Sequence, residues 1–477
     1  MTIKAGGNIW TPQKGNFGPQ LGFNWAPATS HDKLVLRGGF GLFFNQEEIA
    51  LTANSANNPP TGAYYYFGNS TAPNTIDNRI VYALSSSPTS LNGFPENPNT
   101  ITSYNSSNLP VNGGATVTAY PSSIPTQYTY HYSLEADYTI GHQWVATRGY
   151  EGSSTRHLVA EIRNYNAIAA IQGLAMNPLV QQVDYYANGG SANNNAMLAE
   201  MKHLMAHHFS ADAQFMWSRS MDNASGPYQN YDFLFNSAQS WGRSDFDIRK
   251  SLKLIAVWQP VLFHGGNAWM EKLAGGWTVS GIASLHTGFG WTPNYGIGAN
   301  LYCNLCGYTN LRPHYSGGAG KSKSNSAFES GSNFAGIKTG ETSTTATVNG
   351  NKGTVTSYSN KYFSVPNFEQ AITYTSLGTA PAANAGLPPT PGLARNSFVG
   401  PGYKDLDASL SKAFGLPNMR VLGESAKLEI RADAFNLFNN TNLDSRQIVN
   451  NINATNFGQD TVILGSRTVS FQARFDF

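Results

Sequence analysis

Apolar and polar residues alternate with a period of two along much of this chain, and the pattern is clearest at its end. Val469, Phe471, Ala473, Phe475 and Phe477 fall on one face; Thr468, Ser470, Gln472, Arg474 and Asp476 fall on the other. Only extended backbone sends successive side chains to opposite sides, so this period predicts a strand whose two faces meet different surroundings. Gln127 to Ile140 repeats the pattern. Tyr128, Tyr130, Tyr132, Leu134, Ala136, Tyr138 and Ile140 alternate with Thr129, His131, Ser133, Glu135, Asp137 and Thr139. Further stripes are Phe17, Pro19, Leu21, Phe23 and Trp25, then Leu34, Leu36, Phe40, Leu42 and Phe44, then Phe209, Ala211, Ala213, Phe215 and Trp217. Leu252 to Trp258, Trp277 to Leu285, Leu406 to Leu410 and Leu428 to Ala434 follow the same rule. With weaker segments included, about eleven strands are expected, each near or above the roughly 9–11 residues that cross a bilayer at a tilt.

The connections alternate between short and long. Short ones are Pro27 to Asp32, Gly141-His142, Ala206 to His208, Leu262 to Gly276 and Gly415 to Ser425. Long polar ones are Glu48 to Pro125, His157 to Asn194, Asp222 to Phe246, Pro293 to Tyr403 and Leu443 to Leu464. Short turns on the inner side and long loops outside are the arrangement of an outer-membrane barrel, and aromatic residues near strand ends fit its interfacial girdles. The expected fold is therefore all-β, an antiparallel transmembrane β-barrel with long extracellular loops. Ala196 to Phe209 also fits an amphipathic helix, but its neighbours favour a strand. Short helices are expected at Ile168 to Val183 and Ala268 to Ala274, and Lys321 to Asn360 reads as a mobile, nearly low-complexity stretch. Arg148 falls on the apolar face of Trp144, Ala146 and Tyr150, where a charge at the bilayer centre costs roughly 2–4 kcal/mol. Either it snorkels to an interface or the register slips there.

Composition agrees with a wall between lipid and water. Charged residues are 12% of the 477, aromatics another 12%, and 48 residues are Gly. That is about half the charge of an ordinary soluble domain. The net charge of +2 steers the chain towards no nucleic acid. No apolar run is long enough for a helical span. The first residues carry no apolar signal-peptide core, so the natural start is expected upstream and the chain to be truncated.

Candidate chemistry is sparse. His131, Glu135 and Asp137 share the polar face of one strand, which in a barrel lines the lumen. His203, His207 and His208 have helical ligand spacing without a carboxylate partner and are placed at an inner turn. Asp245, Asp247 and Arg249 suggest a paired network at a strand mouth, or else ordinary ion pairing at an interface, worth little when solvated. Cys303 and Cys306 form a Cys-x-x-Cys in a polar stretch; a small loop disulfide is expected, with a free pair as the alternative. No catalytic, cofactor or metal constellation assembles, so no cofactor and no enzymatic activity is expected. Loop aromatics Tyr64, Tyr65, Tyr66, Tyr185, Tyr186, Tyr228 and Tyr231 are candidates for stacking on a sugar or peptide, or for loop packing.

Several phrases carry a family resemblance. They are Asn16-Phe17-Gly18-Pro19-Gln20-Leu21-Gly22-Phe23-Asn24-Trp25 with Leu36-Arg37-Gly38-Gly39-Phe40-Gly41, and Phe215-Met216-Trp217-Ser218-Arg219-Ser220-Met221-Asp222-Asn223-Ala224. Ser244-Asp245-Phe246-Asp247-Ile248-Arg249, Gly275-Gly276-Trp277-Thr278-Val279-Ser280-Gly281, Gly400-Pro401-Gly402-Tyr403 and Arg431-Ala432-Asp433-Ala434-Phe435-Asn436-Leu437-Phe438-Asn439 complete the set. In this order they resemble the C-terminal half of an Oar-like TonB-dependent receptor. The resemblance implies roughly half of a barrel of about 22 strands, spanning residues 1–477, in a bacterial outer membrane. The N-terminal sandwich, TonB box, plug and first barrel strands have no counterpart here. Arg148 and Glu151 depart from it, standing where such strands usually carry apolar residues. Implied partners are outer-membrane lipid, the missing barrel half and plug, the TonB complex through that missing part, and the barrel-assembly machinery. That machinery would read Val469, Phe471, Phe475 and Phe477 as a C-terminal signal. The implied function is transport or reception of a large substrate. A passive pore or adhesin, and a secreted soluble glycan-binding β-protein, are the competing readings.

Overall fold

The computed structural model describes residues 11–45, 115–162, 180–226, 237–261, 273–294, 312–364, 392–416 and 426–476, apart from isolated positions within them, and a few single residues elsewhere. Eleven strands follow one another in strict chain order across one sheet. They are β1 (Gln20–Trp25), β2 (Leu34–Phe44), β3 (Tyr128–Ile140), β4 (Trp144–Ile162), β5 (Val180–Ala206) and β6 (Phe209–Asp222). β7 (Lys250–Trp258), β8 (Trp277–His286), β9 (Tyr403–Gly415), β10 (Lys427–Phe435) and β11 (Thr468–Asp476) complete the series. Every neighbour along this path is antiparallel. The alternating meander expected from the pattern is what forms. Among the described residues the sheet stays open, with β1 and β11 as its edges.

The register joins the apolar stripes into one continuous face. Leu134 lies opposite Tyr150, Tyr150 opposite Met197, and Met197 opposite Trp217. Further on, Leu410 faces Ala432 and Ala432 faces Phe471. A one-residue slip would turn every such row to the polar side, which is why alternation fixes register so firmly. Four tryptophans, Trp25, Trp144, Trp258 and Trp277, end or begin strands at the short-turn rim. Towards the other rim, the hydroxyls of Tyr132 and Tyr150 both donate to Asn195 Oδ1 at 2.8 Å. Such half-polar rings suit the two membrane boundaries.

The inner turns are tight. His207 and His208 take the left-handed conformation between β5 and β6, with φ of 49° and 64°. At the start of β8, Gly276 (φ 75°) lies so near the Ala413 carbonyl that a Cβ would sit 2.6 Å from it. The stretch from Ala196 is strand through Ala206, as its neighbours implied. Register runs unbroken through Arg148, so the slip is ruled out. Glu151 pairs with Ser133 and Ala196 on the polar side of the wall, which corrects its expected place among apolar positions.

Three expectations change. The stretch from His157 to Asn194 is not one loop, because β4 continues to Ile162 and β5 begins at Val180. These strands overhang the apolar band, and Ala115–Ala119 joins the overhang as a parallel pair with β5. The overhang is Ser, Asn and Gly rich and lacks alternation, so its strand character left little trace in the sequence. The helix expected over Ile168 to Val183 lies mostly outside the described residues, and its last positions are strand; that at Ala268 to Ala274 also lies largely outside them. Lys321 to Asn360 carries a helix (Asn325–Glu329), a 3-10 turn (Ser332–Phe334) and a hairpin of Lys338–Val348 with Asn351–Asn360. Ser324 caps that helix by accepting from the Ala327 N–H, a local signal its composition concealed. No helix among the described residues is long and apolar enough to cross a membrane.

Candidate functional site: the polar face and the long-loop mouth

The polar face of the sheet is lined by matched charges. Arg37 pairs with Asp137 and reaches Glu135 at 3.7 Å, and Thr147 donates to Asp137 at 2.7 Å. Lys202 lies 3.4 Å from Glu200 and 3.6 Å from Asp212. Arg431 with Asp433 (2.7 Å) and Arg474 with Asp476 (2.8 Å) continue the series. His131, Glu135 and Asp137 thus line this face with no converging acid–base geometry; His131 instead packs edge-on against Phe43 at 5.3 Å. An open groove of about 560 Å³ runs along the first strands, lined by Gly22, Gly39, Ser133 and Ser153, with the Phe43 ring over Gly41 and with His131 and Glu151 at its flank.

At the long-loop rim the picture changes. The end of β6, the 237–249 segment and the 392–396 segment close around a buried ion cluster. Arg395 is 4% exposed and uses its whole guanidinium there. It pairs with the Asp222 carboxylate, donates to the Asp222 carbonyl at 2.9 Å, and reaches Asp245 at 3.2 Å, Ser225 at 3.1 Å and the Ser240 carbonyl at 3.3 Å. Beside it, Asp247 accepts from Arg243 at 2.6 Å, from Arg249 at 2.8 Å and from the Ser220 N–H at 2.7 Å. Asn396 donates to Asp245 at 2.6 Å and to the Arg243 carbonyl at 2.8 Å. Three carboxylates and three guanidiniums balance. The paired network suggested by Asp245, Asp247 and Arg249 is present; the Asp247 side chain is wholly buried, while those of Asp245 and Arg249 stay 51% and 30% exposed. Buried pairs satisfied by further hydrogen bonds hold a single geometry, and breaking one leaves a costly lone charge.

Above this cluster the loops fold on a core of their own. Trp291, Phe328, Phe334, Ile337, Phe363, Leu443, Ile448, Ile452 and Phe457 pack together, with Phe334 and Phe457 rings 4.7 Å apart. Residues 436–467 are tied in by two carboxylates of opposite character. Arg446 hydrogen-bonds Asp444 at 2.8 and 2.9 Å and holds its pKa below the usual range. Burial pushes the Asp460 carboxyl up, and the Asp444 charge adds to it; the Val462 N–H at 3.0 Å opposes them. One oxygen of Asp460 has no hydrogen-bond partner.

The residues singled out from sequence scatter. Tyr186 is buried and stacks on Tyr120 at 5.6 Å, while Tyr185 packs on Tyr165 at 4.5 Å. Tyr64, Tyr65, Tyr66, Tyr228 and Tyr231 lie outside the described residues, as do Cys303, Cys306 and Phe477. Val469, Phe471 and Phe475 stand exposed on the outward face of edge strand β11. His203 packs on Trp144 at 4.5 Å, apart from His207 and His208 in the turn. Among the described residues no group of three His, Cys, Asp or Glu could hold a metal. Arg395, Asn396 and Asp222 were not foreseen as one site. Their only trace was the Asp222-Asn223 and Ser244-Asp245-Phe246-Asp247 phrases, which say nothing of a partner more than 150 residues away.

An apolar outward face, a charged inward face and a folded loop layer at one rim define the wall of a membrane β-barrel. The chain belongs to the family described as outer membrane beta barrel domain, whose model matches residues 2–472. It therefore resides in the outer membrane. No curated protein matches it. Among solved structures it is similar to the outer membrane transporter YddB from Escherichia coli, at 9% identity and a TM-score of 0.43, covering 93% of this chain and 38% of that one. The FrpB iron transporter from Neisseria meningitidis gives 10%, 0.40, 96% and 38%. The ferripyoverdine receptor of the outer membrane of Pseudomonas aeruginosa gives 10%, 0.39, 98% and 33%. The chain thus spans between a third and two fifths of these proteins' lengths.

Proposed function

We propose that this domain is the C-terminal part of a TonB-dependent outer-membrane transporter or receptor of the Oar-like type. The remaining strands and the plug are supplied by the rest of the polypeptide. Its work is binding and gating rather than bond-breaking. Strand parity carries the reading. Among the described residues eleven strands meander, so β1 and β11 run the same way and cannot close on each other antiparallel. Bacterial barrels of one chain use even numbers of strands, and open edges are not tolerated in lipid. An odd number of further strands satisfies both requirements. In this reading the long-loop layer receives a large substrate at the mouth, with Tyr64, Tyr65, Tyr66, Tyr228 and Tyr231 as candidates for stacking on it, while Tyr185 and Tyr186 serve loop packing against Tyr165 and Tyr120. The barrel-assembly machinery reads Val469, Phe471, Phe475 and Phe477 at the end of β11, and Cys303 with Cys306 close a loop by a disulfide.

Liposomes carrying this domain alone should show neither heat-modifiable gel migration nor substrate-dependent uptake, and both should return with the intact natural polypeptide. Heat-modifiable migration with steady ion conductance by the isolated domain would instead identify a passive pore.

A further inference from the structure

Several cations stand on the outward face of the sheet, Arg156, Arg219 and Lys250 among them, and three nearer the apolar stripes, Lys404, Lys412 and Arg148, are treated differently. Lys404 sits at the long-loop end of β9, opposite Leu285. Lys412 lies near the short-turn rim, only 5% exposed, and is satisfied by the protein. Its Nζ donates to the carbonyls of Leu273 and Gly275, each at 2.7 Å, and rests over the rings of Trp277 (4.6 Å) and Phe414 (5.1 Å). Arg148 has none of this. It is exposed, and no hydrogen bond, ion pair or ring contact reaches it from any described residue.

Its surroundings are small side chains. Arg148 pairs with Ala136 on β3 and Ala199 on β5, and Ala146 precedes it on the same face. Tyr138, Trp144 and Tyr150, all exposed, bracket this notch. The residue lies four positions beyond Trp144, which at a tilt of about 40° is about 10 Å along the membrane normal. A guanidinium carries five donors and cannot shed its charge. In a water-free medium those donors must find acceptors, and the protein offers none. The side chain can turn towards the near boundary, where the available acceptors are lipid phosphates. A fork of parallel N–H groups matches a phosphate better than it matches any other group at that depth.

We propose that Arg148, with Ala136, Ala146 and Ala199, forms a notch that binds the phosphate of one glycerophospholipid from the leaflet on the short-turn side. The guanidinium grips the phosphodiester, the alanines leave room for it, and the aromatic rings flank the glycerol and upper chains. The inference rests on the outward face being lipid-facing and is independent of the transport reading.

The test uses the intact natural polypeptide in neutral detergent, with retained lipid counted by native mass spectrometry and heat-modifiable migration as the folding control. With added phosphatidylglycerol, wild type should hold one lipid that Arg148→Gln holds about tenfold more weakly, the size expected for losing a charge-assisted pair. Arg148→Lys should fall between them, since it keeps the charge and loses the fork. Ala199→Leu fills the notch but leaves the cation, and should also release the lipid. Diacylglycerol, which lacks the phosphate, should show no difference between wild type and Arg148→Gln. Equal retention of phosphatidylglycerol by wild type and Arg148→Gln overturns the proposal. If Arg148→Gln does not fold, unchanged retention by Ala199→Leu overturns it instead.

Discussion

The wall and the loop layer of this domain use opposite means to hold their shape. In the wall, large apolar side chains stay exposed: Leu134 at 56%, Trp217 at 56% and Phe471 at 80%. They gain nothing from leaving water during packing against protein, because lipid is already their solvent. Strand ladders satisfy the backbone and lipid contacts do the rest. In the loop layer Phe328, Ile452 and Phe457 are at most 3% exposed, and fully buried charges sit beside them. That layer is built as a water-soluble domain is, from hydrophobic burial and polar groups that, Asp460 and Trp291 apart, are mostly hydrogen-bonded. The same kind of substitution should therefore cost much in one region and little in the other.

The largest expected effect lies where the two regions meet. Arg395→Met should destabilise the loop layer by about 3–5 kcal/mol, because Asp222 is left buried without its cation. Hydrogen exchange at residues 237–249 and 392–400 should rise sharply, while exchange across β7 to β10 stays slow. Uniform loosening of the wall would instead show that the cluster holds the barrel rather than the loops.

A paired substitution sharpens the contrast. Phe457→Ala removes a ring packed on Trp291, Phe334 and Phe363 and should cost the layer about 3–5 kcal/mol. Leu410→Ala on β9 removes a lipid-facing side chain, 44% exposed, and should cost less than about 1 kcal/mol. Thermal unfolding in detergent, followed by loop proteolysis and by heat-modifiable migration separately, reads the two regions apart. Equal costs at both positions would end the distinction.

The same difference explains what could be foreseen. Alternation reports a surface between two solvents, so β3, β10 and β11 were legible residue by residue, and register came with them. The overhang of β4 and β5 lies beyond lipid, buries Val159, Ala160, Val183 and Tyr186 against neighbouring loop segments, and carries no such period. The layer core is assembled from lone apolar residues, Phe328, Phe334, Ile337 and Phe363, spaced irregularly through polar sequence. No local period can mark a core contributed by four separate loop segments. Asp245, Asp247 and Arg249 were visible as charges, but Arg243, the second cation on Asp247, and Arg395, which reaches Asp245 from another loop, were not seen to join them. Arg148 was legible as an anomaly for the opposite reason: it breaks the very period that fixes its place.

The smallest expected effect is a pH dependence confined to the layer. Asp460 is 1% exposed, and its carboxyl is raised first by burial, then by the nearby Asp444 charge. A carboxyl that titrates higher in the folded layer than in the unfolded chain favours folding in its protonated form. The stability it lends is therefore full below the unfolded value near 3.8 and is lost as pH rises through the raised folded value. Asp444, held low by Arg446, acts in the opposite direction, and its contribution disappears only as pH falls below 3.8 through the depressed value. Since Arg446 is largely exposed, that pair is screened and contributes little. Asp460→Asn keeps an acceptor for the Val462 N–H while removing the titration. Hydrogen exchange at 436–467, measured from pH 4 upwards, should lose its slope in this variant while the wild type loosens with rising pH. An unchanged slope would move the titration to another group and leave Asp460 a purely packed carboxyl.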